Sequence, residues 1–185
     1  MDASPTLALS RDLGQRAVRL IEHLHAPDDL SPAGVERHFG LPVAYHPQDA
    51  RRFGCGRALD ARWICNLGAL PDRERDDAPP RLLFSFDDQT GAHDDWSAVC
   101  GLDFAEVSAA LAAAGYVGAP LVGPRDAFSG VRFRRGAIAV DVDVRGENAR
   151  RPDHLCVARM LIQVLPANAA DDRTTDRTEA DDAHA

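Results

Sequence analysis

The chain has 185 residues, 45% of them hydrophobic, and a net charge of −8. That is enough apolar sequence for one core in one domain of ordinary size, and it excludes a wholly disordered chain. All 21 basic residues are Arg; residues 169–185 hold six acids against Arg173 and Arg177, half of the net charge, and neither they nor the rest offers the basic footprint that a phosphate backbone requires, which excludes nucleic acid as a partner.

No run of residues approaches the length of a membrane span. Near the N-terminus Arg11, Asp12, Arg16, Arg19 and Glu22 interrupt the apolar sequence, so no signal peptide is read there. The cytoplasm is the expected compartment, with no membrane contact. Cys55, Cys65, Cys100 and Cys156 are then expected as reduced thiols.

Residues 1–9 read as a flexible N-terminus. From Ser10 to His25, Leu13, Ala17, Leu20, Ile21 and Leu24 fall on one face at helical spacing. A second helix has Ser31 as N-cap, Pro32 at its first position, a staple of Leu30 on Val35, and a stop at Gly40 before Pro42. Residues 45–60 read as an irregular Arg- and Gly-rich connection. Two strands follow: Trp63, Cys65, Leu67 and Ala69 share one face of the first, and Leu82, Phe84 and Phe86 share one face of the second. Between them, 71–80 is a charged, proline-rich excursion.

A third helix at 103–114 has Asp103 as its cap, with Glu106 placed to close a capping box and Gly115 to end it. Then Val131 and Phe133 alternate with Arg132 and Arg134, and Ile138, Val140, Val142 and Val144 alternate with Asp141 and Asp143. A two-residue turn at Arg135-Gly136 predicts Phe133 opposite Ile138, with Arg132 and Arg134 near Asp141. Residues 155–165 are apolar on both faces, as in a central strand. The fold class is α+β: an antiparallel sheet of about five strands, helices on one face, in the order α-α-β-β-α-β-β-β. The domain spans 10–166, and 167–185 form a disordered acidic tail.

The residue types that carry chemistry do not assemble into a motif. There is no C-x-x-C and no H-x-x-x-H, and His23 and His25 point to different sides of a helix, so no metal and no cofactor are expected. Gly54-Cys55-Gly56-Arg57 is not a phosphate loop, and Ser85, Ser97, Ser108 and Ser129 lack a nucleophile elbow. Cys55, between two glycines and beside Arg51, Arg52 and Arg57, is the one cysteine placed for reactivity, with His38 or His46 as a partner in space. The segment 87–96 holds Asp87, Asp88, Asp94, Asp95 and His93. Its spacing does not match an EF-hand, and it reads either as a solvated loop or as a partner-binding surface with Trp96 as anchor.

The blocks 30–42, 99–104 and 155–157 resemble those of uncharacterised proteobacterial proteins associated with secreted-toxin immunity. Acidity, compact size and the lack of an assembled site, beside that resemblance, lead to the expectation of a non-enzymatic domain that covers a basic toxin, with acidic loops complementing a cationic cleft. Two alternatives stay open: a small hydrolase or transferase with a spatially assembled Cys55/His site, and a small-ligand sensor.

Overall fold

A computed structural model describes residues 4–71, 81–92, 94–123 and 128–165. Helices α1 (Pro5–Glu22) and α2 (Pro32–Phe39), joined through a 3-10 turn at Pro27–Leu30, precede strands β1 (Ala44–His46), β2 (Asp49–Ala58), β3 (Trp63–Leu70) and β4 (Arg81–Asp88). Helix α3 (Phe104–Ala113) precedes β5 (Val117–Val122), β6 (Phe128–Arg135), β7 (Ile138–Asn148) and β8 (Arg151–Val164). All eight strands form one antiparallel sheet in the order β1-β2-β3-β4-β8-β7-β6-β5. Each half is thus a helical segment followed by a four-stranded meander, and the last strands of the two meanders pair at the centre.

The α+β class stands, but the expected sheet of about five strands and the order α-α-β-β-α-β-β-β are corrected to eight strands in the order α-α-β-β-β-β-α-β-β-β-β. The three strands absent from the sequence reading are β1, β2 and β5, which lie at the two ends of the sheet. In β2 only Phe53 is buried, and no residue of β1 or β5 is. A strand that buries neither face is under no pressure to alternate, so periodicity is silent about it. Helix α1 begins at Pro5, so residues 5–9 are helical. The 72–80 excursion, His93 and the 167–185 tail lie outside the described residues.

Caps set the helix ends as their chemistry requires. The Ser31 hydroxyl accepts from the Gly34 amide, and Gly40 takes the left-handed conformation at φ 76° that closes α2. Asp103 Oδ1 accepts from the amides of Ala105 and Glu106. Glu106 closes no capping box; its carboxylate binds Arg11 of α1.

Register divides the sheet into two unlike faces, because directly opposed residues project to the same side. One row reads Leu67, Phe84, Met160, Val142, Val131 across β3, β4, β8, β7 and β6; the next reads Ala69, Leu82, Ile162, Val140, Phe133. All but Val131 are buried, under α1, α2 and α3. The opposite face reads Gly54, Gly68, Leu83, Leu161, Asp141, Arg132, Ala119, and then Gly56, Asn66, Ser85, Arg159, Asp143, Gly130, Leu121. Among the described residues no helix covers that face.

Two details differ from the expected register. The β6–β7 turn falls at Gly136-Ala137, so Arg135 opposes Ile138, Phe133 opposes Val140, and Arg132 stands directly across from Asp141, which it binds. Arg134 pairs across from Ala139. In β8 a bulge opposite Asp143/Val144 inserts one residue, so Val157 and Met160, three apart, both face the core. The bulge, rather than cover on both sides, explains the apolar run of this central strand.

Arg135 closes the helical layer. Its guanidinium donates to the carbonyls of Ala114, Glu22 and Leu24, at the ends of α3 and α1, and lies over the Tyr116 ring at 4.4 Å. The Tyr116 hydroxyl donates to the Ile21 carbonyl.

Candidate functional site

The acidic segment after β4 divides into acids used inside the fold and acids facing water. Asp87 Oδ2 accepts from the Asn66 amide at 2.6 Å and from the Ser85 hydroxyl. The Asp88 side chain is fully buried, ion-paired to Arg62 at 2.7 Å, and also accepts from the Thr90 amide and hydroxyl. Asp95 caps the next turn through the Ser97 amide, and those hydrogen bonds hold its carboxyl below the usual range. Asp94 is 80% exposed, with Arg62 3.7 Å away. Trp96 is 9% exposed and packs against Trp63 with ring centroids 5.1 Å apart, so it belongs to the core and does not stand out as an anchor. Of the expected partner-binding residues, Asp94 and Asp95 alone among those described reach well into solvent.

Cys55 sits on the helix-side face of β2, opposite Leu67. Burial pushes its thiol up to about 11, and the Glu36 carboxylate adds to the rise. Among the described residues no hydrogen bond joins it to His38, His46 or any other histidine. A thiol so raised, without a base, is a poor nucleophile. Cys65, deeper in the core, is raised further for the same reason.

The structure gathers a different cluster, at the bulged end of β8. Past the residues that pair with β4, the edge of β8 is taken over by the segment that leads into α3: the Val157 amide donates to the Leu102 carbonyl, and Asp103 bridges to Cys156. This brings Cys100 onto Cys156, and the two form a disulfide with Cα atoms 5.0 Å apart. The expectation of four reduced thiols is corrected: Cys55 and Cys65 are free and the other two are paired. His154 lies beside the pair. Its Nδ1 is 2.7 Å from Glu147 Oε2 and 3.7 Å from Cys100 Sγ, and its Nε2 is 2.8 Å from Asp103 Oδ2. Glu147 is 9% exposed and also accepts from Arg151 at 2.6 Å. Both ring nitrogens face a carboxylate, so both contacts are hydrogen bonds only when the ring carries two protons.

The sequence reading missed this group because its members come from three segments up to 56 residues apart. One local signal was present. His154 and Cys156 are two apart on a strand, the spacing that commonly puts two side chains on one side of a sheet. A search for C-x-x-C and H-x-x-x-H pairs, the spacings of turns and helices, passes over it.

A further surface feature is apolar. Val117, Val122 and Phe128 are 75%, 63% and 51% exposed. Register places Val117 on the uncovered face of the sheet, opposite Arg134 and in line with Ala119 and Leu121 along the β5 edge; beyond a register shift at Leu121/Val122, Val122 opposes Phe128 at the end of that edge. Beside this strip the pairs Arg132–Asp141 and Arg159–Asp143 form a charged belt. No helix among the described residues is long and apolar enough to cross a membrane.

No family model matches the chain, and neither a curated protein nor a solved structure is found to be similar to it.

Proposed function

We propose that the chain is a non-enzymatic, cytoplasmic protein-binding domain that meets a basic protein partner through the uncovered face of its sheet, and that neutralising a cognate toxin is the role this serves. The observation that carries the reading is the strip Val117, Leu121, Val122, Phe128 at the β5 edge, flanked by ion-paired side chains. An apolar centre with a charged border is the composition of a protein interface. Net acidity and the exposed carboxylates of Asp94 and Asp95 favour a cationic partner and speed its approach. The raised Cys55 thiol, without a histidine bonded to it, speaks against the hydrolase alternative.

Protection tests the proposal. The full chain and its Val117→Asp/Phe128→Asp variant are each co-expressed with the basic toxin candidates encoded in the neighbourhood of its gene. Protection and a stable complex are expected with the native chain, and both should be lost in the variant while its melting temperature holds. Absence of any complex, or protection that survives the double substitution, sinks the reading.

A further inference from the structure

Cys100, Cys156 and His154 meet at one point, with the two sulfurs and an imidazole nitrogen all within 4.8 Å of one another, and Glu147 Oε2 lies 2.7 Å from His154 Nδ1. In a compartment that reduces the disulfide, this group changes character. Two thiolates, an imidazole nitrogen and a carboxylate oxygen are the donor types that bind zinc, and about 3.6 Å separates S and N ligands around a tetrahedral zinc ion, from ordinary Zn–S and Zn–N lengths. Cys100 Sγ and His154 Nδ1 already stand 3.7 Å apart.

We infer that the reduced chain binds a zinc-class divalent cation through Cys100 Sγ, Cys156 Sγ, His154 Nδ1 and Glu147 Oε2, and that oxidation to the disulfide closes the site. The ligand frame is set by backbone that both states share. His154 and Cys156 belong to β8, Glu147 to the neighbouring β7, and Cys100 to the turn that the Val157–Leu102 hydrogen bond holds against β8. Asp103 is the positioning residue: its Oδ2 accepts from Nε2–H, which leaves Nδ1 as the metal-facing nitrogen and fixes the ring plane. Its other oxygen caps α3, so the orienting carboxylate is itself anchored. Arg151, which binds Glu147 in the oxidised chain, is 58% exposed and free to turn into water when a cation takes its place.

The redox step balances with a cellular dithiol as the reductant. Its two sulfurs become a disulfide, the Cys100–Cys156 bond accepts two electrons and two protons, and metal binding then releases both thiol protons to solvent.

Cobalt is the probe. Full-length chain, reduced under anaerobic conditions, is titrated with Co(II), and the thiolate-to-cobalt charge-transfer band is followed together with the visible bands of tetrahedral cobalt. About one cobalt per chain is expected, displaced by zinc and lost when diamide restores the disulfide. His154→Gln and Cys156→Ser should abolish the band, Asp103→Asn should weaken binding roughly 10- to 100-fold, and Cys55→Ser should change nothing. Circular dichroism confirms that each variant is folded; if Cys156→Ser is not, Cys100→Ser replaces it. A folded, reduced native chain without a thiolate band overturns the inference. So does a band that persists in folded His154→Gln or in the oxidised chain.

Discussion

The two faces of the sheet are made from the same strands and obey opposite rules. On the inner face Phe84, Met160, Val142 and Leu67 stand in one register row, each at most 1% exposed. On the outer face, one residue along the same strands, Leu83, Leu161 and Asp141 are half-buried, and among the described residues no helix lies over them. The inner face follows the demands of a core, where every methylene is in contact. The outer face carries ion pairs, three glycines at the β2–β3 end and exposed Val117 at the β5 end. Folding does not require that composition, and the proposed binding role would. The comparison therefore separates residues that hold the domain from residues that serve something else.

Breaking the inner face should have the largest effect. Phe84→Ala leaves a cavity under α2, against Phe39 and Phe86, and should cost about 3–5 kcal/mol. Urea denaturation measures it; a loss below about 1 kcal/mol would mean that the inner face is loosely packed. Reduction of Cys100–Cys156 without metal comes next. The bond closes a loop of 56 residues, worth about 4 kcal/mol on the chain-entropy account. Thiol titration of the isolated, oxidised chain under denaturing conditions should find two free thiols, Cys55 and Cys65, and four would contradict the pairing.

Arg135→Ala sharpens the comparison at the edge of the helical layer. It removes three charge-assisted hydrogen bonds to carbonyls of α1 and α3 and the contact with Tyr116. A loss of about 2 kcal/mol is expected in the same denaturation assay, and Arg135→Lys should recover only part of it, because an ammonium cannot fork to three acceptors.

A smaller effect comes from His38, which stacks on His23 at 4.8 Å. Burial, then the neighbouring His23 and Arg37, hold His38 below its ordinary value of 6.5. The unfolded chain therefore takes up this proton first as pH falls. Stability should decline through pH 6.5 and level off below the folded value. His38→Gln should flatten that part of the profile, and an unchanged slope would contradict the assignment.

What could be read from the residues follows the same division. The inner rows were legible because burial enforces alternation, and α2 and α3 because Ser31, Gly40 and Asp103 leave local chemical marks at their ends. β2 and β5 were not legible: Arg51, Arg52 and Arg57 in one, and Gly118 and Pro120 in the other, reflect positions next to or at an end of the sheet, where little of the strand is buried. The acidic segment was visible as composition, yet its division into the buried Asp88 carboxylate paired with Arg62 and the exposed Asp94 depends on a contact across 26 residues. The Cys100–His154–Glu147 group depends on a bulge in β8 and on a bridge to Asp103, and neither leaves a mark that periodicity can register.

The difference between the faces is tested most directly by calorimetric titration of the co-purified basic partner into the native chain and into Val117→Asp/Phe128→Asp, with thermal unfolding of both in parallel. Surface substitutions of this kind change stability by about 0.5 kcal/mol or less, so matched melting curves are expected together with loss of the binding heat. Binding of equal strength by the double variant, or a melting temperature lowered as far as that of Phe84→Ala, would contradict the division of the sheet into a face that folds and a face that binds.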